Sequence, residues 1–143
     1  MNPRIIYLIK RAEIEVTGRM SLALEKFRVT PIQFTVLYFV HQNQGDLSSA
    51  QLSRRFSMTP QSMNELVAVL QRKKLIKKAV DPSHKRILRI TLTAKGIQTL
   101  DACNRELDRV EESLLGSFQT DDLEKLRELI ARFISGSRQQ AQD

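Results

Sequence analysis

Between Pro3 and Phe27 the apolar residues Ile5, Ile9, Ala12, Val16, Met20, Ala23 and Phe27 recur at steps of three or four, the spacing of one face of an α-helix. Leu8, Leu22 and Leu24 lie off that face. At 1.5 Å per residue the helix is about 37 Å long, more than a globule of 143 residues covers with its own core. The other end of the chain repeats the pattern. Ile97, Leu100, Cys103 or Asn104, Leu107, Val110, Leu114 and Phe118 form a second long stripe, and Leu123, Leu126, Ile130, Phe133 and Ile134 a third. Both ends therefore predict helices whose apolar faces a second copy of the chain covers. With 41% hydrophobic residues and only 5 Gly and 4 Pro, the chain is neither disordered nor repetitive, and a mostly α fold is expected.

The middle of the chain is punctuated differently. Thr30-Pro31 is a helix start, a capping hydroxyl followed by proline at the first helical position, and Ile32 to Val40 reads as a buried helix ending near Asn43-Gln44-Gly45. Ser48 or Ser49 caps a short helix carrying Ala50, Leu52 and Phe56. Thr59-Pro60 then starts a helix with Met63, Leu66, Val67 and Leu70 on one face. Two short helices joined by a tight turn make a helix-turn-helix. After Lys73-Lys74 the period changes toward two, over Leu75 to Val80 and Ile87 to Leu92. The turn Asp81-Pro82-Ser83-His84 between them makes this a hairpin, a wing beside the helix-turn-helix. Thr93 caps the second long helix and Thr120-Asp121-Asp122 the last one, with a frayed tail expected from Ser135. The expected architecture is mostly α with a small β-hairpin wing. A single domain, 1–143, carries a winged helix-turn-helix at 31–95 between helical dimerisation segments at 1–28 and 96–137.

Charge is distributed unevenly. Residues 46–95 hold 11 Lys+Arg against 3 Asp+Glu, a balance of +8 that exceeds the +7 of the whole chain. A charge run is ordinarily a solvated face, but this concentration on one structural unit is the footprint of a polyanion-binding surface. Double-stranded DNA is the expected partner. The exposed positions in the first turns of the second short helix are Gln61, Ser62, Asn64 and Glu65, whose amide, hydroxyl and carboxylate groups suit base edges. Arg54, Arg55, Thr59, Arg72, Lys73, Lys74, His84, Lys85 and Arg86 are the candidates for phosphate or minor-groove contact. The alternative is a winged-helix module that binds an acidic protein through the same basic surface.

Other chemistries find little material. Two histidines, His41 and His84, and one cysteine, Cys103, form no catalytic or metal-binding constellation, so neither an enzyme nor a metal or other cofactor is expected. Cys103 reads as a small buried hydrophobe ahead of a redox switch. The longest uncharged stretch, Val29 to Gly45, is broken by polar residues, and the apolar run Ile5 to Ile9 is too short for a signal-peptide core. A cytoplasmic protein without a membrane partner is the expectation.

In order and spacing, four segments resemble the MarR family of winged-helix transcription regulators: Leu52-Ser53-Arg54-Arg55, the helix Thr59 to Leu75, the wing Asp81-Pro82-Ser83-His84-Lys85-Arg86, and Leu92-Thr93-Ala94-Lys95-Gly96. Two positions depart from the common pattern. His84 stands where many members have an acidic residue before the basic pair of the wing, and Glu65 where many have arginine. The resemblance implies a homodimer that binds a pseudo-palindromic operator, most simply as a repressor, and is released by a small, often aromatic effector. It also implies a crevice for that effector at the junction of the DNA-binding unit with the end helices, where Arg19, Met20, Phe34, Tyr38 and His41 are the candidate lining residues.

Overall fold

The computed structural model describes residues 2–140. Its elements are α1 (Ile5–Leu24), a 3-10 turn (Glu25–Phe27), α2 (Pro31–Gln42), α3 (Ser49–Arg55), α4 (Pro60–Arg72), β1 (Ile76–Asp81), β2 (His84–Leu92), α5 (Ala94–Leu115) and α6 (Thr120–Gln140). They form two compact units, one ending at Leu107 and the other starting at Asp108. Among the described residues no helix is long and apolar enough to cross a membrane.

The helix starts are built by their caps. Thr30 accepts from the Gln33 backbone N–H at 3.3 Å while the Gln33 side chain accepts from the Thr30 N–H at 3.2 Å, a reciprocal box that satisfies two otherwise orphaned donors. Ser48, not Ser49, caps α3, and Gln51 completes the same box there. Thr59 caps α4 ahead of Pro60.

In the first unit, Val36, Leu37 and Val40 of α2, Leu52 of α3, and Met63, Val67 and Leu70 of α4 pack with Leu75, Ile76, Ile90, Leu100 and Cys103 into one buried core. Helix α1 meets this core only at its end. Leu24, off the apolar stripe, is its fully buried residue, with Met20 and Phe27 partly buried against the core, whereas Ile5 and Ile6 are 75% and 74% exposed. Leu24 follows Met20 by four residues and precedes Phe27 by three, so the three share the helix face that meets the core. Arg28, in the left-handed region at φ 55°, closes the 3-10 turn by donating to the Glu25 carbonyl.

The wing is an antiparallel pair running from Ile76 opposite Leu92 to Val80 opposite Leu88. Beyond Val80 the register jumps to Asp81 opposite His84, which leaves Lys85, Arg86 and Ile87 without a counterpart on β1. Strand β2 therefore begins at His84, earlier than expected, and its basic pair stands out as a bulge. The loop before α3 lies against the other end of β2. The Leu47 carbonyl accepts from Ile90 N–H at 2.8 Å, and a Cβ on Gly45, at φ +74°, would lie 2.3 Å from Thr91 Cγ2.

The end of α4, the hairpin and the start of α5 meet in one joint. Lys74 turns the chain out of α4 in the left-handed region at φ 59°. The Thr93 hydroxyl donates to the Lys74 carbonyl at 2.6 Å and accepts from Gly96 N–H at 2.9 Å. Lys95 donates to the Lys73 carbonyl at 3.1 Å, so the orphaned carbonyls at the end of α4 are satisfied by the first turn of α5. Glycine is needed at position 96 because a Cβ there would sit 2.0 Å from the Leu75 carbonyl oxygen.

In the second unit Leu115, Leu123, Leu126, Ile130 and Ile134 line an apolar groove of about 360 Å³. Helix α6 runs on to Gln140, so the fraying expected from Ser135 does not occur over those residues. Residues 141–143 of the expected tail lie outside the described residues.

Of the pair Cys103 and Asn104, it is Cys103 that faces the core, and burial pushes its thiol up to about 11. A thiol-reactive dye at pH 8 should label native Cys103 roughly a hundredfold more slowly than the urea-unfolded chain. Equal rates would show the thiol to be open. Gly96→Ala should lower stability by about 1–3 kcal/mol, read as an earlier urea midpoint; an unchanged midpoint would mean that the joint accommodates a side chain.

Candidate nucleic-acid interface

Helix α4 buries Met63, Val67 and Leu70 and exposes Gln61, Ser62, Asn64 and Glu65. All four expected base-reading residues thus share the solvent side of its first two turns, but they are not idle. Ser62 accepts from the Thr59 hydroxyl at 2.9 Å while its backbone N–H is capped by the same oxygen. Gln61 donates to Glu65 at 3.4 Å, and Ser49 of α3 donates to Asn64 Oδ1. The last bond ties α3 to the exposed face of α4. It leaves the Asn64 amino group, a donor, without a partner among the described residues.

The basic residues divide by what they touch. Arg54, Arg72, Lys74, Lys85 and Arg86 are exposed and have no acidic partner among the described residues, and His84 is exposed at the wing turn. Arg55 is exposed too, with its guanidinium 4.8 Å from the centre of the Phe39 ring. Lys73 is turned inward, contrary to the expected phosphate contact. Its ammonium donates to the Arg28 carbonyl and, at 3.0 Å, to Gln33 Oε1. It ties the end of α4 to the turn before α2. The cause is position: as the C-cap of α4, Lys73 comes within reach of the Arg28 carbonyl and the Gln33 side chain, which lie far from it in the chain.

Sequence reasoning missed the pair that holds the wing. Arg89 meets Asp81 Oδ2 through both Nε and a terminal nitrogen at 2.8 Å. It also donates to Gln51 Oε1 at 3.1 Å and lies 3.5 Å from Asp46 Oδ1. One guanidinium thereby joins the wing turn to the loop before α3 and to the cap of α3. The other Asp81 oxygen accepts from the Ser83 N–H and hydroxyl, both at 2.8 Å. These Ser83 bonds first, and Arg89 with them, hold the Asp81 carboxyl down at about 2. The Asp-Pro-Ser turn was a legible signal for the Ser83 bonds. Arg89, alternating with Leu88 and Ile90, reads only as a solvent-facing strand residue. His84 takes no part in this brace.

The crevice candidates are distributed. Phe34 and Tyr38 lie together with ring centres 5.9 Å apart, and Tyr38 is 44% exposed. Met20 packs on the core, Arg19 reaches back to Glu15 at 2.9 Å, and His41 is exposed.

Residues 29–87, from the turn before α2 into the wing, match the MarR family model. Over this segment the chain is similar to the MarR family. A helix-turn-helix transcriptional repressor of Mycobacterium bovis is 36% identical over 90 residues, 63% of this chain and 64% of its own length. The chain thus spans slightly less than two thirds of that relative. The fold is that of S. aureus MepR in its DNA complex, at a TM-score of 0.79 and 24% identity over 93% of this chain and 96% of that one. It is equally that of CouR from Rhodococcus jostii RHA1 bound to p-coumaroyl-CoA, at 0.83 and 18% identity over 91% of both. These likenesses establish the mostly α fold with a hairpin wing.

A carboxyl held below its ordinary value stabilises the fold above the unfolded value and ceases to do so as pH falls through the folded one. Asp81→Asn should therefore lower the melting temperature at pH 7, and the gap to the parent protein should close only as pH falls from about 4 toward 2. A carboxyl carbon resonance of Asp81 that titrates near 4 would contradict the brace.

Proposed function

We propose that this chain is a MarR-family regulator that binds a pseudo-palindromic operator as a homodimer, acts as a repressor and is released by a small aromatic effector. The observation that carries the DNA reading is the surface around α4, where exposed Arg54, Arg72, Lys74, Lys85 and Arg86, uncompensated by acidic groups among the described residues, flank the open face of Gln61, Ser62, Asn64 and Glu65. In this arrangement the start of α4 enters the major groove and the bulged wing follows the backbone, so that cations supply affinity and α4 supplies sequence preference. The related repressor and the DNA complex of MepR support the same assignment.

The dimer reading rests on apolar surface. Along α1, Ile5, Ile6, Tyr7, Leu8 and Ile14 are exposed, and along α6, Leu129, Ile130 and Phe133. Contiguous apolar faces of this length mark association, and a second copy covers like with like in a closed two-fold assembly. An effector beside Phe34 and Tyr38, as the ligand-bound CouR suggests, releases DNA only to the extent that it binds the non-binding geometry more tightly.

Selection from a randomised duplex library at fixed salt tests the reading. The expected product is an inverted repeat with half-sites about 34–36 Å apart, and Asn64→Ala should change the preferred base at one position of each half-site. Salt-sensitive binding with no enriched sequence would overturn operator recognition and favour an acidic protein partner.

A further inference from the structure

Between the wing and the two short helices lies an open cleft of about 600 Å³. Cations reach it from three elements: Arg54 of α3, Lys78 of β1 and Arg86 of β2. Among the described residues no aspartate or glutamate lines it, and none of the three cations has an acidic partner. Arg89, which also borders the cleft, differs in being neutralised by Asp81 and Asp46. Ser49 and Asn64 add short polar groups to the walls. Three uncompensated positive charges held in one concavity repel each other, and an anion seated among them removes that repulsion.

We propose that Lys78, with Arg54 and Arg86, forms a phosphate-binding cleft that grips the backbone of duplex DNA between α4 and the wing. The proposal rests on the DNA-binding reading above and adds a residue, Lys78, that the sequence pattern hides. Strand alternation separates Lys78 from its neighbour. Lys78 shares a face with Ile76 and Val80 and pairs with Ile90, whereas Lys77 pairs with Thr91, points to the other face and does not line the cleft. The occupant is a phosphodiester because the cleft opens beside the exposed face of α4, and a polyanion lying along that face passes it.

The test compares the parent protein with Lys78→Gln and Lys77→Gln, both checked for an unchanged melting temperature, by titrating a fluorescent duplex over a series of salt concentrations. Losing one phosphate contact per protomer should reduce the slope of log affinity against log salt by about 0.9 per protomer, with all sequences weakened alike. Lys77→Gln should leave most of the slope intact. An unchanged slope in Lys78→Gln, or equal losses in the two variants, would overturn the assignment. If the parent protein binds no duplex, the DNA reading itself fails, and the cleft is tested with inorganic pyrophosphate. Shifts of the Gln51 and Asn64 side-chain amide resonances that vanish in Lys78→Gln would uphold a phosphate site for a free ligand; no shifts in the parent protein would refute it.

Discussion

The close approach of α5 to the backbone at the end of α4 is the contact on which the rest of the molecule depends. Gly96 stands where any side chain would strike the Leu75 carbonyl, and Thr93 bonds both its own helix and the Lys74 carbonyl. This single joint stops α4, starts α5 and holds the two ends of the hairpin, because Leu75 and Thr93 are themselves joined by a backbone bond of 3.0 Å. Lys73 adds a tie from the same place to the turn before α2. Helix α4 is therefore anchored at its C-terminal end, and its N-terminal turns are left open.

Electrostatics sorts the cations of the middle segment into three kinds. Lys73 and Lys95 satisfy backbone carbonyls, where a missing partner would leave polar groups unpaired. Arg89 is matched by carboxylates and fixes the wing against α3. The remainder are exposed and have no counter-charge among the described residues. Only this third kind bears on a polyanion, so the formal charge of a segment overstates its binding charge. Exposed charges more than a Debye length apart are screened from one another, and a polyanion that neutralises several of them releases its own counterions.

The apolar faces of the end helices follow a different logic. Helix α1 places only Leu24 fully in the core, since a single small unit has no more interior to offer a helix of 20 residues. Its stripe is consistent with association, which is also how a symmetric regulator would set the distance between two reading helices.

Much of this was legible in the residues. Caps at Thr30, Thr59 and Thr93, the change of period after Lys74 and the Asp-Pro-Ser turn are local signals, encoded within three or four residues, and the helix-turn-helix with its hairpin followed from them. The exposed face of α4 followed too, because helical spacing alone separates Met63, Val67 and Leu70 from Asn64 and Glu65. What the sequence left open depends on residues far apart in the chain. Lys73 reads like Arg72 until Arg28 and Gln33 are brought beside it; Arg89 reads like any strand cation until Asp46, Gln51 and Asp81 surround it. Lys78 likewise acquires its surroundings only when strand register is known. Local spacing determines which face a side chain takes, because it depends on the helix or strand period alone. Tertiary packing decides which charge or carbonyl that face meets, because electrostatic and hydrogen-bond partners are chosen by distance in space.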